Sequence, residues 1–180
     1  MSIGGAIRLT IPRVARGAVP PGAPPPLAVP YYRQEQDLWC WAACGRMLVS
    51  FLRLPDAAQC DFAEAAFHGG CCTTPGSRTC NNGYFPENSY GGFGIAIAKP
   101  ISQTSQATLD GELGAGRPIE VTYHWKNGGA HVALVTGRYP NGTYEVHDPW
   151  YGPGPRKLSE ISLGYGIGRW ANSYVNIGRR

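Results

Sequence analysis

The sequence has no run approaching the ~18 consecutive apolar residues that a transmembrane helix needs, so membrane insertion is not expected. Charge is sparse too, at 16% of residues, and the 13 arginines that dominate the net charge of +4 are scattered. With neither a basic run nor interleaved aromatics, nothing marks nucleic acid as a partner. The first 13 residues alternate and carry arginines where a secretory signal would place a charged start and then an apolar stretch, so no such signal is legible. There is no internal repeat, and no pair of Cys-x-x-Cys units of the kind that builds a zinc site, so no metal is expected.

What is present is a chain of 180 residues, 43% apolar, with 25 glycines and 16 prolines. That length suits one well-cored domain, or two small lobes sharing a cleft. The turn-rich composition points to an α+β fold and away from a helical bundle. Six cysteines, Cys40, Cys44, Cys60, Cys71, Cys72 and Cys80, fall within 41 residues. Such density suggests an oxidising destination, and export is expected even without a visible signal.

Residues 17–30 are so rich in proline that they can neither complete a hydrogen-bonded ladder nor continue a helix, which predicts an extended strap. With the alternating Ala6–Val14 segment, read as a strand, it forms an arm over residues 1–30 preceding a domain at 31–180. Trp41, Cys44, Leu48 and Phe51 recur at helical spacing and predict a buried helix from Trp39 to Leu52. A second helix should start from Asp56 as N-cap and end at Gly69 and Gly70. Residues 71–100 read as loop, and a third helix capped by Thr104 or Ser105 should run through Leu109 and Leu113. Strands are expected at Ile119–Tyr123, at His131–Thr136, at Tyr144–His147 after the turn Pro140, Asn141, Gly142, and at Tyr174–Ile177. The expected architecture is a helical lobe over about residues 31–105 packed on an antiparallel β lobe over about 106–180, with the active site in the cleft between.

A cysteine nucleophile works as its thiolate, and the unpaired N–H groups at the first turn of a helix favour negative charge. Cys40 occupies that place, with Trp41 behind it allowing the helix to be buried while its tip faces the cleft. Gln34, six residues upstream, is far enough along an extended segment to turn its amide toward the oxygen of an attacked carbonyl. A base must take the thiol proton and later protonate a leaving amine, which favours a histidine held by a third polar group. His131 opens a buried strand and Asp148 ends the next one, so adjacent antiparallel strands bring the two together. Trp150, two residues beyond Asp148, is placed to lie over that pair.

These stretches, Gln34 to Ala43, Gly129 to Gly137 and Val146 to Trp150, resemble the papain-like cysteine peptidases. The likeness is narrower to the bacterial branch that includes the AvrRpt2-type effector peptidases and the staphopain and bacteriocin-processing relatives. It covers roughly residues 31–177 as three ordered motifs. It implies a papain-like α+β fold, Cys40 as nucleophile, His131 as base, Gln34 as oxyanion donor, and Asp148 where papain itself has asparagine. It also implies a protein or peptide substrate, a thioester intermediate, no cofactor, a monomer, and delivery into another cell. Papain's disulfide partner three residues before its nucleophile is replaced by Asp37, so that bridge does not carry over.

Plainer readings compete with each assignment. Cys44, one turn deeper than Cys40, reads as core. His68, His124 and His147 are rival bases read as surface or loop histidines, His147 pointing to the face opposite Asp148. Cys60, Cys71, Cys72 and Cys80 read as two disulfides, Cys60 joined to Cys71 or Cys72 and Cys80 to the other, with the vicinal bridge disfavoured sterically. The same apparatus fits an amidase or acyltransferase acting on peptidoglycan, since fold and triad do not fix a substrate. An inactive peptide-binding cleft is the third reading, against which the intact set argues.

Overall fold

The structure, a computed structural model, describes residues 25–180. The Ala6–Val14 strand and the first part of the strap lie outside the described residues. From Pro25 to Leu38 the chain forms neither helix nor strand. It is laid along the sheet by backbone hydrogen bonds, Leu27 N–H to the Thr136 carbonyl at 2.8 Å and Gln34 N–H to the Pro149 carbonyl at 3.1 Å. The approach is so close that a side chain on Gly137 would meet the Pro26 backbone at 2.6 Å, which makes glycine a steric requirement there.

Helix α1 (Cys40–Phe51) matches the predicted helix to within one residue at each end and buries Trp41, Ala42, Ala43, Cys44, Met47, Leu48 and Val49. Helix α2 (Gln59–Phe67) is capped by Ala58, not Asp56, because the chain is extended there and the Asp61 carboxylate accepts the Ala58 N–H at 2.7 Å. It stops one residue before the glycines, at His68, which adopts the left-handed conformation (φ 52). The stretch expected as loop contains α3 (Pro86–Ser89), begun by a proline suited to a first helical turn, and a 3-10 helix over Tyr90–Phe93. The short strands β1 (Ile95–Ala96) and β2 (Ile101–Ser102) follow. In α4 (Gln106–Gly114) Ser105 is the N-cap, its hydroxyl accepting the Thr108 N–H at 3.2 Å.

The remaining chain supplies β3 (Ile119–Trp125), β4 (Ala130–Arg138), β5 (Tyr144–Asp148), β6 (Gly152–Arg156), α5 (Leu158–Ser162), β7 (Gly168–Tyr174) and β8 (Gly178–Arg179). Six strands form one antiparallel sheet in the order β2-β7-β3-β4-β5-β6, while β8 pairs with β1. The closing strand lies earlier than Tyr174–Ile177: Val175 and Ile177 are buried core residues beyond it, and the polar strand itself is held by pairing between β2 and β3. Strand β6 reads Gly-Pro-Gly-Pro-Arg, which no propensity rule favours. It lies at the sheet edge, where prolines are tolerated when their missing N–H groups would face outward.

The fold is α+β, as expected, with helices on both faces of the sheet. One core joins α1 and α2 to Val132, Leu134, Tyr174 and Ile177. The other joins Leu109 of α4 and Ile161 of α5 to Val121, Ala133, Val135 and Val146. Because β4 faces both cores, its apolar run is continuous, and α1 sits directly against the strand that His131 enters. Among the described residues no helix is long and apolar enough to cross a membrane.

Candidate active site

Cys40 is the first residue of α1 and half-buried. Three hydrogen bonds hold the segment around it to one loop: Trp39 Nε1–H to the Cys80 carbonyl at 2.7 Å, Trp41 Nε1–H to the Asn82 carbonyl at 3.1 Å, and Leu38 N–H to Asn81 Oδ1 at 3.0 Å. That loop is tied down by the Cys71–Cys80 disulfide, both of whose cysteines are buried, and a second disulfide joins Cys60 to the exposed Cys72. The bonds select one of the two pairings left open by the sequence. Cys44 is fully buried with Sγ 3.8 Å from the Val132 carbonyl, and burial, reinforced by Glu120 and Cys40, pushes its thiol well up. It is a packing residue.

The strand register brings His131 and Asp148 together. Leu134 faces His147 across β4 and β5, so the ends of the two strands set His131 diagonal to Asp148 on one face. His131 Nε2 lies 2.9 Å from Asp148 Oδ1. Asp148 Oδ1 also accepts the backbone N–H groups of Trp150 at 2.8 Å and Tyr151 at 2.9 Å, while Oδ2 accepts the Tyr165 hydroxyl at 2.9 Å. Burial alone would push the Asp148 carboxyl up, yet His131 and the backbone donors outweigh it and hold the group below its usual range. Burial likewise opposes charge on His131, but the Asp148 carboxylate and hydrogen bonding with Cys40 override it and lift the imidazolium to about 10. With Nε2 given to Asp148, Nδ1 is the nitrogen left for the thiol.

The rings around the imidazole were not legible beforehand. Trp125 stacks on His131 with centroids 5.6 Å apart, Tyr123 lies directly across the β3–β4 ladder at 6.3 Å, and Tyr151 meets it edge-on at 6.3 Å. Trp125 thus lies over the imidazole face, and Trp150, expected over the pair, gives its backbone N–H to Asp148 Oδ1. Tyr123 and Trp125 could have been found from their two-residue spacing on the strand beside His131; Tyr165, in a glycine-flanked turn, offers no such signal. Of the rival histidines, His68 and His124 are exposed. His147 is buried, contrary to expectation, because the segment that follows the strap passes over its face and sets the Tyr31 ring edge-on 5.9 Å away.

Gln34 is buried beside the turn leading into α1. Its Nε2–H groups point to the carbonyls of Gln36 at 2.9 Å and Asp37 at 2.8 Å, while Oε1 is buried without a hydrogen-bond partner. The amide expected to face an oxyanion thus binds its own turn, and donation outward requires it to give up one of those carbonyls. The N–H of Cys40, as the first residue of the helix, has no intrahelical acceptor.

A family profile described as papain-like cysteine protease AvrRpt2 matches residues 26–162. No curated protein is significantly similar in sequence. Among solved structures, the crystal structure of the Pseudomonas avirulence protein AvrPphB is similar at 6% identity, covering 79% of this chain and 92% of that one with a TM-score of 0.40.

Proposed function

The chain belongs to the papain-like cysteine protease family AvrRpt2, and from that premise we propose that it is an endopeptidase in which Cys40 is the nucleophile, His131 the base and Asp148 its anchor. The observation that carries the reading is the 2.9 Å bond from His131 Nε2 to a fully buried carboxylate, which leaves Nδ1 for the thiol at the tip of α1. The lifted imidazolium supports a positively charged ring as the partner of the thiolate that attacks.

In this reading the Cys40 thiolate attacks a peptide carbonyl carbon, and the negative charge moves to the carbonyl oxygen. The Cys40 N–H receives that oxygen, joined by Gln34 once its amide leaves one turn carbonyl. The C–N bond then breaks, His131 Nδ1–H supplies the proton to the departing amine, and a thioester remains on Cys40. Nδ1, now neutral, takes a proton from water; the hydroxide equivalent attacks the thioester, releasing a carboxylic acid and restoring the thiolate–imidazolium pair. Asp148 holds the tautomer and balances the positive ring without taking the proton. Trp125, Tyr123 and Tyr151 keep water from the His131–Asp148 bond. Two disulfides support an oxidising destination, so a protein delivered out of its producing cell and acting on a protein substrate is the setting we assign.

The test is modification by an epoxide-type thiol inhibitor, mapped by mass spectrometry, alongside hydrolysis of fluorescent casein. Cys40 should be modified in preference to Cys44, and Cys40→Ala should abolish cleavage. Full turnover by Cys40→Ala would overturn the assignment.

A further inference from the structure

We propose that Tyr165 is a positioning residue for the reaction, its hydroxyl fixing the Asp148 carboxylate in the orientation that presents Oδ1 to His131. The proposal rests on the assignment of Cys40, His131 and Asp148 above, and lies beyond the matched residues 26–162. A carboxylate can rotate about its Cβ–Cγ bond, and Oδ1 alone must serve His131, Trp150 and Tyr151. The Tyr165 hydroxyl at 2.9 Å is the donor on Oδ2, and Asp148 is fully buried, so solvent is not at hand to replace it.

The backbone around Tyr165 is built for this placement at some cost. Gly164, Tyr165 and Gly166 have successive φ values of 47, 57 and 86. The left-handed region is unfavourable for a bulky side chain and persists only where the surroundings impose it. They do so here: Tyr165 packs against Tyr123 at 5.3 Å and edge-on to Tyr151 at 5.5 Å. A Cβ on Gly164 would meet the Arg169 nitrogen at 3.1 Å, so the turn is pressed onto β7.

The unusual β6 sequence supplies the other side. Gly152, Gly154 and Arg156 alternate onto one face, and the glycines leave a trough free of side chains. Arg156 is buried and lies back along that trough: its Nη1 would be 3.4 Å from a Cβ on Gly154, and it donates to the Pro155 carbonyl at 2.9 Å. Its guanidinium carbon is 5.7 Å from the centre of the Tyr165 ring. A cation beside a phenol makes the O–H a stronger donor. Burial, then Asp148 and Tyr123, hold the Tyr165 hydroxyl well above its usual range despite Arg156, so it stays a donor at every working pH. The charged and titratable groups around this bond are His131, Cys40, Cys44, Tyr31, Tyr123, Tyr151 and Arg156.

The experiment compares the full chain with Tyr165→Phe, which keeps the ring, and with Arg156→Met, which keeps a stem in the trough. Cys40→Ala is the control. Alkylation of Cys40 by iodoacetamide is followed against pH, with casein turnover beside it. Loss of the hydroxyl removes a hydrogen bond to the carboxylate, Asp148 protonates more easily, and the thiolate–imidazolium pair loses its support from the acid side. The acidic limb of alkylation in Tyr165→Phe should therefore move up by about one pH unit, with kcat down about tenfold and KM nearly unchanged. Arg156→Met should move the limb in the same direction by less. A limb identical to the wild type in Tyr165→Phe would reduce Tyr165 to packing and overturn the proposal. If Tyr165→Phe fails to fold, an unmoved limb in Arg156→Met does the same. Casein turnover by Cys40→Ala equal to the wild type would instead overturn the triad assignment.

Discussion

Glu120→Gln is expected to leave stability near pH 5 almost unchanged and to raise it progressively toward pH 8. Glu120 sits on β3 with no exposed surface. Its Oε2 is 2.8 Å from the Tyr90 hydroxyl, which is also 2.7 Å from the Trp41 carbonyl. A phenol has one hydrogen and cannot donate to both acceptors. The network balances if Glu120 carries a proton, donates to Tyr90, and Tyr90 donates to Trp41. Burial pushes this carboxyl well above the ordinary glutamate range, against the Tyr90 hydrogen bond and with help from Cys40 and Glu87. For a group whose folded pKa is raised, the stability it contributes is fully present below the unfolded pKa and is lost as pH rises through the folded one. The wild type should lose up to about 1.4 kcal/mol per pH unit across that window. Glutamine reproduces the donor without the titration. Urea midpoints from pH 5 to 8, in a Cys40→Ala background without reductant, read the difference, in which the opposite contribution of Asp148 and the parallel one of His131 cancel. A difference that stays flat with pH, or a Glu120→Gln variant less stable at pH 8, would refute the reasoning.

Gln34→Ala should lower kcat about a hundredfold through the lost oxyanion donor, and stability by about 1–2 kcal/mol through the two freed turn carbonyls. A kcat within threefold of the wild type would leave Gln34 as a turn anchor alone. Removing the buried bridge with Cys71→Ala and Cys80→Ala should cost about 2–4 kcal/mol and also lower kcat, because Trp39 and Trp41 hang from the Cys80 and Asn82 carbonyls. Removing the Cys60–Cys72 bridge should spare kcat, and equal kcat losses in the two double variants, measured with casein, would sink that distinction.

Where local rules act alone, they were readable. The spacing from Trp41 to Phe51 defines α1, and Ser105 caps α4 through its own hydroxyl. The ordered motifs led to residues that the register of β4 and β5 brings together at one sheet end. Elsewhere tertiary context decided. Strand β6 is defined by an edge that tolerates prolines, β7 by the neighbours it pairs with, and the start of α2 by Asp61 reaching back to Ala58. His147 is buried because a segment more than a hundred residues earlier covers it, and no window along the chain reports that. The direction of the Gln34 amide depends on two carbonyls in the next turn, which residue type and spacing do not resolve.

The placement of β7 inside the sheet, between β2 and β3, bears on the order of assembly. Strands β3 to β6 follow one another in sequence and in space, so this meander can pair as it is synthesised. The strand next to β3 on the other side arrives last of the long strands, after the α5 segment, and must dock across many intervening residues. Tyr165 rides on the turn just before that strand. Until β7 is seated, the carboxylate behind His131 lacks its Oδ2 donor. Closing the sheet and completing the surroundings of Asp148 are therefore one step, and a chain interrupted before that strand would hold Cys40, His131 and Asp148 without their full setting.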